Sequence, residues 1–574
     1  MDRMSNKSFH GFITVVGLIF FVPFLGGVHL FDWDEINFAE SAREMLVTGN
    51  YRQVMVNFEP FWEKPPLFFW LQALCMRIFG VNEFAARLPN AIVGIISLHT
   101  IFHYGRRILN TTTAKWWVFL YLASTTPHFY FHSGIIDPLF NLFIFAAIIQ
   151  IYFTLSSRKW KHWLLAGTWL GLAVLTKGPA AGLIVLLFLF VLWVRNKAKF
   201  WFSLKDLLVF ASSTLLIASI WFVPEVVKYG IGFLSNFLAY QLDLMKNPVA
   251  SHGQPWFYHA VVLLIGCFPA SILALRRFVT GSDDHSFELT LKVMFWVVLI
   301  LFSLVTTKIV HYSSLCYFPL TGLAAIRLSR WSAGDKLIHW EKVLLSVFTV
   351  LWSILFIGVP LFGYTIKYWL TKYPNLIRDE FTLQNFSVAA NWSTWHIIIG
   401  VFGAVVLFGL LGTLIQNKRL IATNWLMVLG VYLVGFLGFI VPQIERHTQG
   451  SIITFYESIE DEDCYVDVYK FKSYAHYFYT EIEPLSAGDG LLSERITSLL
   501  KLGATSRLDL NEEQRKVYTN NEMQWLLTGE IDKPVYLIAQ PRKAKELANT
   551  PGFELIQNTG GYWVFKRMPD SRIE

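Results

Sequence analysis

The sequence predicts a polytopic α-helical membrane protein with about thirteen transmembrane helices and a small C-terminal α/β domain. Hydrophobic residues make up 54% of the 574 positions and charged residues only 16%, whereas a soluble domain carries about 25% charge. Apolar runs of about 20 residues, the length that spans a bilayer, recur along most of the chain. The composition changes after Pro442, where Glu, Asp and Lys become frequent and apolar runs shorten.

The first apolar run, Phe9–Phe31, predicts a retained membrane anchor. It is too long for a signal-peptide core, and Asp-Trp-Asp-Glu follows it rather than a small-residue cleavage site. Basic loops then predict the orientation, because Lys and Arg collect on the cytoplasmic side. With a cytoplasmic N-terminus, the predicted inner loops contain Arg106-Arg107, Arg158–Lys161, Arg195–Lys197, Arg276-Arg277, Arg327–Arg330 and Lys418-Arg419. We therefore expect a multi-pass protein of the plasma (inner) membrane with an extracytoplasmic C-terminal domain.

Residues 163–194 form a nearly continuous apolar stretch that is broken only at Thr176–Pro179. Pro179 removes a backbone donor, and Lys177 would otherwise lie in mid-membrane, where a charge is costly. We therefore predict two short spans that meet at this point. One long span would invert every later loop and place the basic residues outside.

The predicted domains are residues 1–442, with interfacial helices in the first outer loop at about 32–80, and residues 443–574. In the second domain, alternating stretches at Cys464–Phe471, Pro534–Ala539 and Tyr562–Phe565 predict strands. Pro541–Asn549 predicts a short helix with proline near its start. A turn is expected at Ser486–Gly490.

The net charge of +7 does not indicate nucleic-acid binding, because the basic residues lie in short clusters between apolar runs. The four cysteines form neither a disulfide framework nor a zinc spacing. Phosphate-loop, dinucleotide, serine-hydrolase and HExxH motifs are absent from the sequence. No metal-ligand motif is present, so a need for a divalent metal or another cofactor stays open.

Asp34 and Glu35 open a segment, Ile36–Val47, whose apolar residues recur at helical spacing. This pattern predicts an amphipathic helix in the membrane interface. Asp32 or Asp34 could cap that helix and complement its dipole. Acidic residues beside a membrane are also typical of functional sites, so a catalytic carboxylate is the second interpretation.

Glu63-Lys64-Pro65-Pro66 is a second charged cluster at the same predicted face. The two prolines fix φ and keep the preceding residues out of a helix, so they present Lys64 on a stiff loop. A compact ammonium with three donors suits a phosphate group. The alternative is a lysine that extends along the lipid surface and binds headgroups in general.

Asp137 lies at the mouth of two predicted spans on this outer face. It is either a second catalytic or structural carboxylate, or an N-cap before Pro138. Lys308 and Tyr312, at i and i+4, would share a face if this stretch is helical, and both could hold phosphate oxygens. Lys177 is a further phosphate candidate, with the lipid-surface lysine again as its alternative.

Three of these stretches resemble a known family: Asp34–Met45, Glu63–Leu67 and Gly80–Pro89. They are similar to the first outer loop of the lipid A aminoarabinose transferases and related protein O-mannosyltransferases. These are GT-C type membrane glycosyltransferases that use a polyprenyl-phosphate (undecaprenyl phosphate) sugar as donor. The resemblance continues thinly through Asp137, Leu175–Pro179, Pro255-Trp256 and Lys308–Tyr312. Two departures are Asn37, where the lipid A enzymes carry arginine, and the missing proline in the last stretch.

The resemblance implies that Asp34 is the catalytic carboxylate and that Lys64, with Tyr312 and Lys308, holds the donor phosphate. We add Glu35 and Asp137 as further candidate catalytic residues, and Lys177 as a further phosphate ligand. Arg43 and Glu63 are candidate supporting residues. No metal ligand is assigned.

The implied reaction moves a sugar, with inversion, to a hydroxyl or phosphate of a lipid A-like lipid, a glycan or a protein on the outer face. A protein O-mannosyltransferase is the close alternative. A lipid-linked-sugar transporter without catalysis is a third interpretation, but the sequence shows no inverted repeat. A non-catalytic lipid-binding scaffold would explain the lysines but not the acidic loop. The expected partners are the lipid-linked sugar, its acceptor and membrane lipids, and not nucleic acid.

Overall fold

The computed structural model describes residues 5–157, 159–246, 253–281, 286–482 and 522–569. Arg158 and the predicted turn Ser486–Gly490 lie outside these residues. Two compact units alternate along the chain. The first contains Met1–Gly27, Trp62–Pro360 and Trp395–Phe439, and the second contains Val28–Phe61, Leu361–Thr394 and Ile440–Glu574.

The described chain is mostly helical. Its first helices are α1 (Asn6–Phe21), α2 (Asp34–Thr48), α3 (Leu67–Phe79), α4 (Glu83–Ile108), α5 (Thr111–Ala123), α6 (Thr125–Tyr130), α7 (Asp137–Ser156), α8 (Trp160–Lys177), α9 (Ala180–Arg195), α10 (Leu204–Tyr229) and α11 (Ile231–Lys246). They are followed by α12 (Tyr258–Gly266), α13 (Ala270–Val279), α14 (Phe287–Leu304), a 3₁₀ helix (Val310–Cys316), α15 (Tyr317–Ser332), α16 (His339–Lys372), α17 (Glu380–Ser387), α18 (Thr394–Ile415), α19 (Arg419–Phe439), α20 (Val441–Arg446), α21 (Gly450–Ser458), α22 (Ala475–Tyr479) and the helix Pro541–Ala548.

Seven of the described helices are long and apolar enough to cross a membrane. A bent pair, α12 and α13, would make an eighth span with an angle of 119° between its halves. Three further apolar helices, α1, α3 and α9, are shorter. The predicted polytopic helical class is therefore confirmed, whereas the number of thirteen spans stays a prediction.

The predicted interruption of the apolar stretch 163–194 is confirmed. Helix α8 ends at Lys177 and α9 begins at Ala180. Gly178 between them has a φ of +76°, a conformation that a residue without Cβ adopts at little cost. The chain therefore turns beside Lys177, the only charged residue of the stretch 163–194.

Helices of the first unit approach each other closely at small residues, as expected where lipid supplies no hydrophobic driving force. A Cβ on Gly167 of α8 would lie 2.3 Å from the Phe210 carbonyl oxygen of α10. The Thr214 hydroxyl of α10 donates to the Gly167 carbonyl at 3.1 Å. Helices α8 and α10 are thus held in direct backbone contact.

The described residues of the second unit form two sheets. A two-stranded hairpin pairs β1 (Met55–Val56) with β2 (Glu59–Pro60). A four-stranded sheet has the order β3-β4-β6-β5, in which only β3 and β4 run parallel. Its strands are β3 (Tyr465–Tyr469), β4 (Val535–Ala539), β5 (Phe553–Thr559) and β6 (Tyr562–Arg567).

The three predicted strands of the C-terminal region are present as β3, β4 and β6, and the predicted helix is present at Pro541–Ala548. The sequence analysis missed β5, whose exposed and half-buried residues lack a clean two-residue alternation. Leu547 of the helix packs with Leu537 of β4 and Phe565 of β6. The assignment of residues 443–574 to a separate domain stays a prediction.

Candidate active site

Helix α2, in the second unit, carries the first acidic cluster. It begins at Asp34, two residues before the predicted start, and its N-cap is Trp33 without a side-chain cap hydrogen bond. The interpretation that Asp32 or Asp34 caps this helix is therefore wrong. Asp32 instead accepts the backbone N–H of Tyr474 at 3.1 Å, and Asp34 and Glu35 occupy the first turn, where negative charge complements the helix dipole.

Glu35 has a local structural role. Its carboxylate accepts the backbone N–H of Phe31 at 2.9 Å, which ties the start of α2 to the segment before it. Asp34 itself is half-buried. The two neighbouring carboxylates therefore differ in burial.

The prediction of an amphipathic interface helix is wrong about which residues of α2 are exposed. All residues from Glu35 to Met45 are buried, so α2 has no solvated polar face over this stretch. Two of the buried charges form a pair: Arg43 donates to both carboxylate oxygens of Glu40 at 2.8 Å. Arg43 also donates to the carbonyl of Ile482 at 2.7 Å. The candidate supporting residue Arg43 is thus an internal link of the second unit.

Glu44 is a buried acid that the sequence analysis did not single out. Its Oε2 accepts the backbone N–H of Phe58 at 3.0 Å, just before β2. Burial, together with the nearby carboxylate of Glu40, raises the pKa of Glu44 well above its ordinary value. The i, i+4 spacing of Glu40 and Glu44 was the available signal, because like charges at this spacing repel each other on a helix.

Lys64 lies in the first unit, in the turn before α3. Its ammonium is 5.7 Å from the ring centroid of Tyr240, within range of a cation–π contact. The side-chain amide of Gln241 donates to the backbone carbonyl of Glu63 at 2.9 Å. Helix α11 therefore supports the Glu63-Lys64 turn.

Asp137 and Lys177 meet in the first unit. Asp137 is the first residue of α7, and its N-cap neighbour Ile136 makes no side-chain cap bond. The N-cap interpretation of Asp137 is therefore wrong. Its Oδ1 instead lies 2.5 Å from the ammonium of Lys177, at the end of α8. The pairing satisfies two groups that would each be costly to bury alone.

Tyr312 and His311 complete this cluster. The Lys177 ammonium is 4.8 Å from the ring centroid of Tyr312, and Nε2 of His311 is 3.8 Å from Oδ2 of Asp137. The carboxylate of Asp137 thus has Lys177 and His311 beside it, and the ring of Tyr312 lies next to Lys177. The ammonium already balances the charge of Asp137, so this arrangement requires no cation.

The Lys64 turn and the Lys177 turn are neighbours in the first unit. A Cβ placed on Gly178 would lie 2.9 Å from Phe237 Cζ and 4.0 Å from Pro65 Cγ. Phe237 belongs to a buried aromatic cluster, against which Trp62 and Leu67 pack. The fold therefore brings together the turns that carry two of the lysines proposed from the sequence as phosphate ligands.

Lys308 does not share an α-helical face with Tyr312, which corrects the expectation from their spacing. The 3₁₀ helix begins only at Val310, after Lys308. The buried ammonium of Lys308 donates to the Val305 carbonyl at 2.8 Å. Tyr312, the predicted neighbour of Lys308, lies beside Lys177.

Buried amides that the sequence analysis missed support the Asp137 cluster. Asn90 donates to the carbonyls of Ser133 and Ile135, each at 2.6 Å, in the loop that leads to Asp137. Asn141, one turn after Asp137, donates to the Ser314 hydroxyl at 2.8 Å. Polar residues inside apolar helices were the signal that could have found them.

Parts of this sequence are similar to known proteins. The family described as dolichyl-phosphate-mannose-protein mannosyltransferase matches residues 63–227. An undecaprenyl phosphate-alpha-4-amino-4-deoxy-L-arabinose arabinosyl transferase of Erwinia tasmaniensis is 28% identical over 306 residues, 51% of this chain and 54% of the relative. An uncharacterized protein of Aquifex aeolicus is 28% identical over 326 residues, 55% of this chain and 73% of the relative.

The named transferase is thus matched over about half of its length. The crystal structure of ArnT from Cupriavidus metallidurans bound to undecaprenyl phosphate aligns with a TM-score of 0.71 over 98% of both chains, at 16% identity. This chain has the ArnT fold. The predicted resemblance to GT-C glycosyltransferases of the ArnT and mannosyltransferase type is confirmed, and the matched family and the named relative are both sugar transferases.

Proposed function

We propose that this protein moves a sugar from a polyprenyl-phosphate donor to an acceptor hydroxyl or phosphate on the outer face of the plasma membrane. The observation that carries the proposal is the ArnT fold over nearly the whole chain, combined with a mannosyltransferase-family match that includes Lys64, Asp137 and Lys177. A polyprenyl tail stays in the bilayer, so its phosphate lies at the membrane surface. Charged residues at the ends of membrane helices suit such a substrate.

The chemistry requires few protein groups. The acceptor oxygen attacks the sugar carbon C1 and forms the new glycosidic bond, while the bond from C1 to the phosphate oxygen breaks. The electron pair leaves with polyprenyl phosphate, and the acceptor proton passes to a carboxylate. Phosphate is a good leaving group, so one base and cationic stabilisation of the leaving phosphate are sufficient. A single displacement inverts the configuration at C1.

We assign the base to Asp34, and a secondary, orienting role to Glu35. Asp34 opens α2, a helix that Arg43 ties to the carbonyl of Ile482. Glu35 accepts the Phe31 backbone N–H, which suits it to the orienting role. Asp137 is the reserve candidate, but its ion pair with Lys177 lowers its availability as a base.

We assign the donor phosphate first to Lys64. Its turn is held through the backbone of Glu63 by Gln241, so the ammonium is presented from a stiff support. Lys177 and Tyr312 are further donors in the neighbouring turn, and Lys177 is already shared with Asp137. Lys308 is the weakest candidate, because its ammonium binds a backbone carbonyl.

The sugar and acceptor are proposed as classes. The names of the relative and of the matched family contain 4-amino-4-deoxy-L-arabinose and mannose. Donors that carry these sugars are therefore the first to test. A lipid A-like lipid is the leading acceptor class, followed by a glycan. Protein O-mannosylation is the second candidate function, favoured by the family match over 63–227.

The test compares a strain that lacks the gene with the same strain carrying it again. Lipid extract of the deletion strain, which retains unused polyprenyl-phosphate sugars, is incubated with purified protein and acceptor membranes. Mass spectrometry then measures released polyprenyl phosphate and sugar-modified lipid, glycan or protein. We expect both products to appear only with the protein. Unchanged polyprenyl-phosphate sugars and identical glycans in the two strains would contradict the proposal.

A further inference from the structure

Trp33 alone separates the segment Leu30–Asp32 from Asp34, and one side chain from the C-terminal part of the second unit binds this segment at two points. The amide Nε2 of Gln449 donates to the Leu30 carbonyl at 2.6 Å. The amide Oε1 of Gln449 accepts the backbone N–H of Asp32 at 3.2 Å. The oxygen and the NH₂ group of one side-chain amide therefore bind two backbone groups of the same short segment.

This pattern imitates a peptide group. In a parallel sheet, one residue accepts an N–H and donates to a C=O that lie on either side of a single neighbouring residue. Gln449 does the same around Phe31 with its side-chain amide. The two partners also determine the amide orientation, because only its NH₂ can donate to the Leu30 carbonyl.

Gln449 is itself a fixed support. It is 9% exposed, and its backbone carbonyl accepts the N–H groups of Ile452 and Ile453 in α21, each at 3.1 Å. Its own N–H donates to the Glu445 carbonyl at 3.1 Å. The side chain therefore extends from a backbone that is hydrogen-bonded on both sides.

Three further polar groups of the segment have partners in the same unit. The Leu30 N–H donates to the Tyr479 hydroxyl at 2.7 Å, and the Asp32 carboxylate accepts the Tyr474 N–H at 3.1 Å. The Phe31 N–H is taken by Glu35. Every bond except the last comes from residues more than 400 positions later, so the C-terminal region determines where this segment lies.

We propose that Gln449 is a positioning residue for Asp34: it fixes the Leu30–Asp32 segment and thereby the direction in which α2 presents the carboxylate. This inference rests on the proposed role of Asp34 as base. It gives the C-terminal region a part in the reaction without any contact with substrate. A displacement of about 1 Å in a positioned group can cost about a hundredfold in rate.

The test is a double-mutant cycle in the full-length protein, with released polyprenyl phosphate as the readout on lipid extract from the deletion strain. Gln449→Leu should lower kcat by about 10- to 100-fold with the donor KM unchanged. In an Asp34→Asn background, Gln449→Leu should cause no further loss, because the carboxylate that it aims is already absent. An equal loss in both backgrounds would show a merely structural role and overturn the inference.

Gln443→Leu is the matched control. Gln443 lies in the same unit and its side chain accepts the backbone N–H of Asn391 at 3.0 Å, away from the segment. Its kcat should stay at the wild-type value. If Gln449→Leu does not fold, Gln449→Met, which keeps the length of the side chain and removes both hydrogen bonds without adding a charge, enters the same cycle.

The outcomes separate this inference from the proposed function. Wild-type kcat in a folded Gln449 variant, together with an inactive Asp34→Asn protein, overturns the positioning role alone. Wild-type turnover in Asp34→Asn removes Asp34 as base, and the positioning role falls with it.

Discussion

Asp137 and Lys177, 40 positions apart, form an ion pair of 2.5 Å between the first residue of α7 and the last residue of α8. Their side chains are only 4% and 12% exposed. At the sequence level, each had an alternative interpretation that involved no partner. Their pairing shows that these acidic and basic residues stabilise each other.

Breaking this pair should destabilise the protein. Lys177→Met leaves the Asp137 carboxylate buried without its partner, and we expect a loss of about 3–5 kcal/mol in the free energy of unfolding. The double variant Lys177→Met/Asp137→Asn should recover most of that loss, because no uncompensated charge remains. Thermal unfolding in detergent measures both. Additive losses in the double variant would show that the two residues act independently.

Asp34→Asn should separate catalysis from folding. The side chain does not cap α2, so the cost in stability should stay below about 1 kcal/mol, the value of one charge at a helix N-terminus. Turnover should fall by about 10²–10⁴, because an amide cannot accept the acceptor proton. Asp34→Glu should also be poor, since its carboxylate moves by about an ångström.

Glu35→Gln is the matched control for Asp34→Asn. Its amide oxygen can still accept the Phe31 N–H, so the effect on turnover should be milder. The assays are release of polyprenyl phosphate and the thermal midpoint. A stable Asp34→Asn protein with wild-type turnover would transfer the base role to Asp137 for the next test.

Lys64→Ala should weaken binding of undecaprenyl phosphate by about 1.5–3 kcal/mol, the contribution of a hydrogen bond to a charged group. Lys64→Arg should rescue only part of the loss, because a broad guanidinium does not replace a compact ammonium. Lys228 is a matched control, since its ammonium also lies over a tyrosine ring, that of Tyr229, at 4.7 Å. Equal affinity in Lys64→Ala and Lys228→Ala would assign Lys64 to general headgroup binding.

Glu44 should make stability depend on pH. The pKa of this carboxyl is raised in the folded protein by burial and by Glu40, whereas in the unfolded chain it is about 4.3. The contribution of Glu44 is therefore most favourable below that unfolded value and is lost as the pH rises through the folded pKa. Glu44→Gln keeps an oxygen for the Phe58 N–H and removes this loss.

The thermal midpoint of Glu44→Gln, measured from pH 5 to pH 8, should exceed that of the wild type most at the alkaline end. Glu40→Gln is the contrasting variant, because it weakens the ion pair with Arg43 and should destabilise the protein across the whole range. A constant difference between Glu44→Gln and wild type would contradict the raised pKa.

The orientation can be measured with introduced cysteines in a variant whose four native cysteines are replaced. A cysteine at Lys161 should be protected from an impermeant thiol reagent in intact cells, and one at Lys543 should react. The reason is the concentration of basic residues in the predicted inner loops. The opposite labelling pattern would invert the topology.

Several features depended only on local sequence and could be predicted from it. Hydropathy and low charge determined the membrane class, because a chain of this composition cannot be solvated by water over most of its length. The break between α8 and α9 followed from Gly178, Pro179 and one lysine. Alternating residues likewise predicted β3, β4 and β6.

Partners that are distant along the chain were decided by the tertiary structure. The acidic pattern of α2 is typical of an exposed amphipathic helix, yet its polar face is buried, and Arg43 pairs there with Glu40. Residue spacing placed Lys308 with Tyr312, whereas folding placed Lys177 there. By itself, the sequence determined which segments enter the membrane and which residue types could act on a phosphate. Only the fold decided which charges meet, because hydropathy acts on each segment separately while an ion pair or a hydrogen bond such as that of Gln449 requires two segments to be brought together.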